Sequence, residues 1–331
     1  MLKRTSPADA PPVRVVIVTL DSHLAAPVQC AEKALRRDMP GMRLSLHAAA
    51  EWSSHPDALA RCKADIAEAD IIIATMLFLD DHIRAILPDL EARAPHCDAI
   101  VGCMAAGDVI KLTRLGRFEM GAKESGAIAL LKRLRGSGKK KVSSGAHQLR
   151  MLKRIPKILR FIPGTAQDVR AYFLTMQYWM AGSDDNVASM VRFLLNRYAT
   201  GPRAYLRGQL KVAAPAEYPE VGLYHPDLPG RQVTDQIADL DGTAAGFAEA
   251  QTVFDGQDAA GGPVQVRGTI GVLLMRAYVL AGDTAHYDGV IRALEARGLK
   301  VVPIFAAGLD ARPAIDAFLK DEDKPRIDAL L

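Results

Sequence analysis

Aromatic side chains make up only 6% of this 331-residue sequence, so aliphatic side chains must fill most of its core. Its four cysteines form no CxxC pair, which argues against a zinc ribbon and against a disulfide framework. We interpret Cys30, Cys62, Cys97 and Cys103 as small apolar core residues. No segment is apolar for the length that a membrane helix needs, and residues 1–12 lack the apolar centre of a secretory signal. These absences predict a cytoplasmic protein with a short, loose leader at residues 1–12.

Nucleotide-binding and metal-binding motifs are also missing. The sequence has no GxxxxGK[ST], and the turn after the first predicted strand, Asp21-Ser22-His23, has no glycine to admit a pyrophosphate. We therefore expect neither a P-loop ATP site nor a standard dinucleotide site. The eight histidines show no HxH, HxxxH or HExxH spacing, so no metal centre is expected.

Acidic residues are absent from one long stretch of the sequence. Residues 125–167 contain eleven Lys or Arg and no Asp or Glu, whereas residues 213–331 contain ten basic and eighteen acidic residues. A basic surface can attract nucleic acid, anionic lipid, an acidic protein or the propionates of a substrate, and the alternative is a solvated loop. Nucleic acid ranks last because aromatic residues are not interleaved there. We interpret this stretch as a docking surface that includes Lys139, Lys140, Lys141, Arg150, Lys153 and Arg154.

The sequence does contain a regular alternation of strand and helix patterns. Apolar runs predict four strands, at 13–20, 42–47, 70–76 and 97–104, and the segments between them have helical spacing. This alternation predicts an α/β fold with a doubly wound, mainly parallel, flavodoxin-like sheet. Residues 105–199 are predicted as helices and basic loops, with two helices near their end. The strand–helix–strand pattern of 269–305 then predicts the start of a second α/β domain.

Asp21, Ser22 and His23 follow the first predicted strand, at the sheet edge where open α/β sheets bind ligands. They are therefore candidate contacts for a polar ligand. The interpretation that we favour is a helix cap formed by Asp21 or Ser22, because capping explains such residues without further assumptions.

Several separated sequence words resemble the large subunit of magnesium chelatase. They are FIPG at 161–164, DVRAY at 168–172, QYWMAGSDDN at 177–186, YPEVGLYHP at 218–226, GVLLMR at 271–276 and VVPIF at 301–305. The likeness covers nearly the whole chain from about residue 13. Residues 13–150 look like the extra N-terminal domain of that subunit. Residues 151–331 look like the truncated start of the region that it shares with the cobaltochelatase large subunit.

The resemblance implies a role in the step that commits protoporphyrin IX to chlorophyll or bacteriochlorophyll. In that family the large subunit binds the porphyrin, Mg²⁺ enters the ring, and two partner subunits of the AAA+ class hydrolyse ATP. The family's metal-insertion residues, including a glutamate, lie beyond position 331, so we expect no catalytic residue here and no activity from this segment alone. The expected partners are the two AAA+ subunits, the remainder of the large subunit and the porphyrin.

His225 follows a short strand predicted at 221–224, and it could serve as an axial ligand or proton carrier for a tetrapyrrole. We favour a loop histidine that precedes a proline turn. Three alternatives to the magnesium chelatase assignment stay open: a cobaltochelatase-like subunit, a docking module without chemistry, and, more weakly, a flavodoxin-like sensor. The expected location is cytoplasmic or peripheral at a membrane, with no transmembrane segment and no nucleic acid partner.

Overall fold

The computed structural model describes residues 11–122, 154–230, 232–244, 266–307, 310–322 and 324–331. The chain divides into two compact units, Met1–Ala216 and Glu217–Leu331. The domain boundary predicted at residue 150 lies outside the described residues, as do the first ten residues of the predicted leader.

The first unit is built on a six-stranded sheet in which the strands, numbered along the chain, lie in the order 2-1-3-4-5-6. Its four parallel strands are β1 (Val13–Thr19), β2 (Met42–Ala48), β3 (Ile71–Thr75) and β4 (Ala99–Cys103). Strands β3 and β4 are buried at every position, as expected for a parallel sheet that is covered on both faces. The predicted strands and the doubly wound α/β class are confirmed.

Helices cover both faces of this sheet. They are α1 (Ala25–Asp38), α2 (Pro56–Glu68), α3 (Asp80–Arg93) and the short α4 (Gly107–Lys111). Ile66 of α2 and Ile86 of α3 pack with Val16 and Ile72 in one apolar core. Strand side chains alternate between the two faces, so Ile17 points to the opposite face, which α1 covers.

A hairpin extends the sheet where only helices and loops were predicted, so that prediction is wrong for these residues. Strands β5 (Arg114–Leu115) and β6 (Phe118–Glu119) are antiparallel. The turn between them uses Gly116 at φ 58°, in the left-handed region that favours glycine. Phe118 is fully buried, and its ring packs edge-on against Tyr172 with 6.1 Å between the ring centroids. Strands of two residues are too short to show a periodic pattern.

Two long helices complete the first unit, α5 (Thr165–Ala181) and α6 (Asp184–Tyr198). Gly182 makes the turn between them at φ 64°, and the hydroxyl of Ser183 accepts a hydrogen bond from the N–H of Asn186 (3.3 Å). Ser183 therefore caps α6, as expected of a serine at this position. Arg192 of α6 forms an ion pair with Asp38 of α1 (2.8 Å).

The cysteines agree with the core interpretation at three of four positions. Cys62, Cys97 and Cys103 are buried, whereas Cys30 is exposed, so the core assignment of Cys30 is wrong. Its neighbours Val28 and Ala31 are on the buried side of α1, and position 30 falls on the solvent side.

The second unit contains a five-stranded mixed sheet in the order β13-β9-β10-β7-β8. Its strands in chain order are β7 (Val221–Tyr224), β8 (Val233–Thr234), β9 (Gly268–Met275), β10 (Leu299–Ala306), the hairpin β11 (Lys320–Asp321) and β12 (Lys324–Pro325), and β13 (Ala329–Leu330). Between β9 and β10 lie the helices α7 (Arg276–Ala281) and α8 (Ala285–Glu295), and shorter helical segments occupy residues 237–244 and 312–319. Strands β9, β10 and β13 run parallel, and β7 is antiparallel to β10. A second α/β region is therefore present, as the sequence predicted.

Candidate functional site

The topology of the first sheet favours a ligand site at the carboxyl edge of its parallel strands. Strand β1 lies between β2 and β3, so the strand order reverses at β1, and open α/β sheets bind ligands beyond such a point. Asp21 and His23 lie at this edge, and a carboxylate oxygen of Asp21 contacts Nδ1 of the His23 ring. The same oxygen accepts a hydrogen bond from the backbone N–H of His23 (3.3 Å). The edge therefore carries a histidine–carboxylate pair.

The helix cap that the sequence favoured at Asp21 or Ser22 is wrong. Helix α1 begins at Ala25 after the N-cap residue Leu24, and no side chain caps it. The carboxylate of Asp21 is bonded to His23, and Ser22 contributes only its carbonyl oxygen, which accepts from the N–H of Ala25 (2.8 Å). This geometry leaves the alternative interpretation, a polar ligand contact, in place for Asp21 and His23.

Two residues with left-handed backbone follow neighbouring strands at this edge. Met76 after β3 has φ 58° and Met104 after β4 has φ 47°. This conformation costs about 1–3 kcal/mol for a residue with a side chain, and such outliers concentrate at functional sites. The two turns bind each other, because the N–H of Met76 donates to the carbonyl of Met104 (2.9 Å) and the N–H of Ala106 donates to the carbonyl of Leu77 (2.8 Å).

The same edge has exposed apolar side chains and buried polar atoms without partners. Phe78 and Leu79, in the loop between β3 and the next helix, are 54% and 56% exposed. Among the described residues, Oγ1 of Thr19, Nε1 of Trp52 and Nδ1 of His82 are buried and have no hydrogen-bond partner. Buried polar atoms normally have partners, and an ordered water or a polar ligand can supply them.

This arrangement is better suited to binding a polar ligand than to catalysing a reaction of that ligand. A histidine–carboxylate pair can hold a proton, but it needs a reacting group beside it to act as a catalyst. Within the described part of the chain, no group of three or more His, Cys, Asp or Glu side chains could hold a metal ion. In the same residues no helix is long and apolar enough to cross a membrane.

The amino edge of the same sheet carries a buried ion cluster that sequence reasoning missed. Arg203 contacts Asp70 (3.0 Å) and Asp98 (3.2 Å), whose side chains are 6% and 3% exposed. Asp70 also accepts the backbone N–H of Arg14 (2.8 Å). Burial raises the pKa of Asp70, although the Arg14 N–H and Arg203 oppose this shift. The cluster fastens the helical turn Gly201–Leu206 to the ends of β3 and β4, so its role is structural.

His225 lies in a buried network of charged groups in the second unit. Its ring is 1% exposed, Nε2 is 2.8 Å from a carboxylate oxygen of Glu295, and Nδ1 accepts the N–H of Asp227 (3.2 Å). Arg292 bridges Glu295 (3.2 Å) and Asp227, and its guanidinium holds the pKa of Asp227 below the usual range. His225 does precede a turn, because its carbonyl oxygen accepts a hydrogen bond from the N–H of Leu228 (3.1 Å). An axial bond to a tetrapyrrole would require one of the two ring contacts to break.

We expect His225→Ala to lower the stability of the second unit by about 2–3 kcal/mol, because Glu295 would lose one of its two charged or polar partners in a buried position. Native-state hydrogen exchange of amides in β7 and α8 measures this directly. The matched control is His286→Ala, which removes an exposed histidine of α8 and should change exchange much less. Equal effects of the two substitutions would contradict a stabilising role for the network.

The basic docking residues fall mostly outside the described part of the chain. Lys139, Lys140, Lys141, Arg150 and Lys153 are not among the described residues. Arg154 is described, and it is exposed at the beginning of the helical residues 154–159.

Comparison with known proteins places this chain beside one group of enzymes. Residues 176–331 match the family model CobN/Magnesium Chelatase, and residues 14–173 match a domain of unknown function, DUF3479. The magnesium-chelatase H subunit of Cereibacter sphaeroides is 48% identical over 99% of this chain and 25% of its own length. The resemblance to the magnesium-chelatase large subunit is confirmed. The corresponding protein of Rhodobacter capsulatus is 49% identical over 96% of this chain and 24% of its own length.

The chain thus spans about a quarter of the length of these curated relatives and matches their N-terminal part. The chloroplastic magnesium-chelatase subunit ChlH of Oryza sativa subsp. indica is also similar, at 28% identity over 97% of this chain. Among solved structures, the catalytic subunit of cobaltochelatase from Mycobacterium tuberculosis aligns with 91% of this chain and 17% of its own, at 15% identity and a TM-score of 0.39. That likeness is too distant to support an argument about the site.

Proposed function

We propose that this chain is the N-terminal segment of the porphyrin-binding subunit of a magnesium chelatase. The complete protein inserts Mg²⁺ into protoporphyrin IX, and two partner subunits of the AAA+ class bind and hydrolyse ATP to drive the insertion. The observation that carries the proposal is the 48% identity to the magnesium-chelatase H subunit of Cereibacter sphaeroides over 99% of this chain. The proposed place of this assembly is the cytoplasm, or the periphery of a membrane.

The chemistry of the reaction defines what such a large subunit must provide. Mg²⁺ holds its waters tightly and prefers oxygen ligands, and the porphyrin must lose two pyrrole protons to accept it. A catalyst therefore needs carboxylates that replace water on the metal, a base for the protons and a cavity that excludes bulk solvent. At the carboxyl edge of the first sheet, Asp21 and His23 provide one carboxylate and one base, which is fewer groups than this reaction needs, and the chain matches only a quarter of the length of its relatives. We therefore assign metal insertion to the longer part of the large subunit and a binding or docking role to this segment.

Cobalt is the second candidate metal, because the matching family model covers both CobN and magnesium chelatase. The identity of 48–49% to two magnesium-chelatase H subunits favours magnesium. The basic residues that include Lys139, Lys140 and Lys141 are proposed to dock the partner subunits or the remainder of the large subunit.

A chimera tests the proposal with a positive readout. Residues 1–331 replace the matching N-terminal quarter of the Cereibacter sphaeroides protein, and magnesium protoporphyrin is measured by fluorescence with the partner subunits, ATP and Mg²⁺. We expect the chimera to retain activity, because the exchanged segment is 48% identical to the one that it replaces over 99% of this chain. A folded chimera without activity would contradict the assignment.

The isolated chain, in the same assay, should form no magnesium protoporphyrin above a reaction that contains the partner subunits alone. The reason is that this chain matches only about a quarter of the length of the magnesium-chelatase H subunits, and the Asp21–His23 pair cannot by itself supply the groups that metal insertion needs. The full-length Cereibacter sphaeroides protein is the positive control. Turnover by the isolated chain would show that the insertion site lies within residues 1–331.

A further inference from the structure

An ordered turn before α5 presents apolar side chains to solvent. The helical residues 154–159 end in a turn that leads through Pro163 to Gly164, the residue before α5. Phe161 is 82% exposed, Ile158 is 52% exposed and Ile162 is 37% exposed. The Phe161 tip, as we name it, consists of these three apolar residues together with the exposed cations Arg154, Lys157 and Arg160.

Two side chains of α5 hold the backbone of the Phe161 tip in place. The side-chain amide of Gln167 donates hydrogen bonds to the carbonyls of Leu159 (2.7 Å) and Ile162 (2.6 Å). Nε of Arg170 donates to the carbonyl of Pro156 (3.1 Å). The side chain of Leu159 is fully buried, so it attaches this segment to the core of the first unit. The turn is thus fixed before any partner binds, so less conformational entropy is lost on binding.

The charged side chains of the Phe161 tip are all positive. Arg154, Lys157 and Arg160 are all exposed, and residues 125–167 contain no Asp or Glu. Positions 154, 157 and 158 follow helical spacing within residues 154–159, so two cations lie beside Ile158 on one exposed face. Such a surface complements a partner that offers negative charge above an apolar layer.

We propose that the Phe161 tip inserts into the surface of an anionic phospholipid bilayer. Phe161 and Ile162 would enter the boundary between headgroups and acyl chains, with Ile158 beside them and the three cations at the headgroup phosphates. Three apolar side chains are too few for a stable protein interface, which buries about 800 Å² on each partner. A bilayer requires no matching shape, so a small apolar tip with adjacent cations is sufficient. This inference deepens the membrane-peripheral location proposed above, and its test, which measures lipid binding by this chain alone, does not depend on the chelatase activity.

Tryptophan fluorescence of Phe161→Trp in the full 331-residue chain tests the insertion. The two native tryptophans are buried, Trp52 at 8% and Trp179 at 4% exposure, so the new side chain dominates any change. We expect a blue shift, and quenching by brominated acyl chains, with vesicles of phosphatidylcholine and phosphatidylglycerol but not with phosphatidylcholine alone. The matched control is Phe78→Trp, which probes another phenylalanine on the first unit, 54% exposed and followed closely by Asp80 and Asp81. It should show no shift.

Vesicle co-sedimentation measures the contribution of each kind of side chain. Phe161→Ala should weaken binding to the anionic vesicles about ten-fold, because the bilayer would no longer bury the aromatic ring. Lys157→Glu should weaken it comparably, and added salt should weaken binding of the unaltered chain. Arg84→Glu, which reverses a 78% exposed cation on α3, should leave binding unchanged.

Three results would overturn the proposal. The first is no blue shift of Phe161→Trp on anionic vesicles, and the second is the same shift for Phe78→Trp. The third is a blue shift with poly-glutamate that anionic vesicles do not produce, which would assign the Phe161 tip to an acidic protein.

Discussion

Replacement of Ile72 by aspartate should leave the first unit unable to fold. Ile72 is fully buried in the middle of β3, with Val16 of β1 and Ile100 of β4 as its neighbours in register. An unpaired carboxylate there would have no water and no cation, and the cost of several kcal/mol is comparable to the total stability of a domain, about 5–15 kcal/mol. We expect loss of soluble protein, or loss of the near-ultraviolet circular dichroism of packed aromatic side chains.

Two controls separate charge burial from other effects of substitution. Ile72→Val removes one methylene group and should cost only about 0.5–1.5 kcal/mol. Leu79→Asp introduces the same carboxylate at a position that is 56% exposed, and it should leave the fold intact. A soluble, cooperatively folded Ile72→Asp protein would show that β3 is not the centre of the sheet.

The sequence predicts the central strands well because their signal is local and continuous. Runs such as Asp70–Met76 contain three consecutive isoleucines, and a strand buried on both faces needs apolar side chains at every position. Arg114–Leu115 and Phe118–Glu119 carry no such signal, since each strand has two residues and depends on long-range contacts such as Phe118 with Tyr172. Short strands at the sheet margin are therefore visible only in the structure.

The candidate site was only partly predictable, for a different reason. The topology rule places Asp21 and His23 at the carboxyl edge from the order of elements alone. The cap interpretation failed because capping depends on where the helix begins, and α1 begins too late for Asp21 to reach its free N–H groups. The left-handed backbone at Met76 and Met104 has no signal in the sequence, because methionine does not favour that conformation.

The ion cluster around Arg203 shows most clearly which contacts cannot be predicted from the sequence. The sequence has an aspartate directly before each of two observed strands, Asp70 before β3 and Asp98 before β4. Their shared partner lies more than a hundred residues later in the chain, beyond the reach of any local pattern. Only the packing of Gly201–Leu206 against the sheet brings Arg203 between them.

Replacement of Arg203 by methionine should destabilise the first unit by about 3–5 kcal/mol. Methionine keeps much of the apolar length but leaves the carboxylates of Asp70 and Asp98 buried without their shared cation, although hydrogen bonds from Arg14 and Thr200 remain. Removing one partner of a buried ion pair has a cost of this size. Urea denaturation followed by tryptophan fluorescence measures the change, because Trp52 and Trp179 both belong to the first unit. Arg207→Met removes an exposed cation nearby and should change the stability by less than about 0.5 kcal/mol.

The pH dependence of Arg203→Met gives this prediction a definite sign. Burial already raises the pKa of Asp70, and loss of Arg203 removes a group that lowers it, so the pKa should rise further. A carboxyl group whose pKa is higher in the folded state than in the unfolded state binds its proton more tightly when folded. Stability should therefore recover as the pH falls through the raised folded pKa, and the deficit relative to the unaltered chain should shrink.

Adding Asp70→Asn to Arg203→Met should recover part of the loss at neutral pH, because it removes one buried charge. Two results together would mean that Arg203 acts through packing and not through charge. The first is a stability deficit of Arg203→Met that does not change with pH, and the second is a double variant that is no more stable than Arg203→Met.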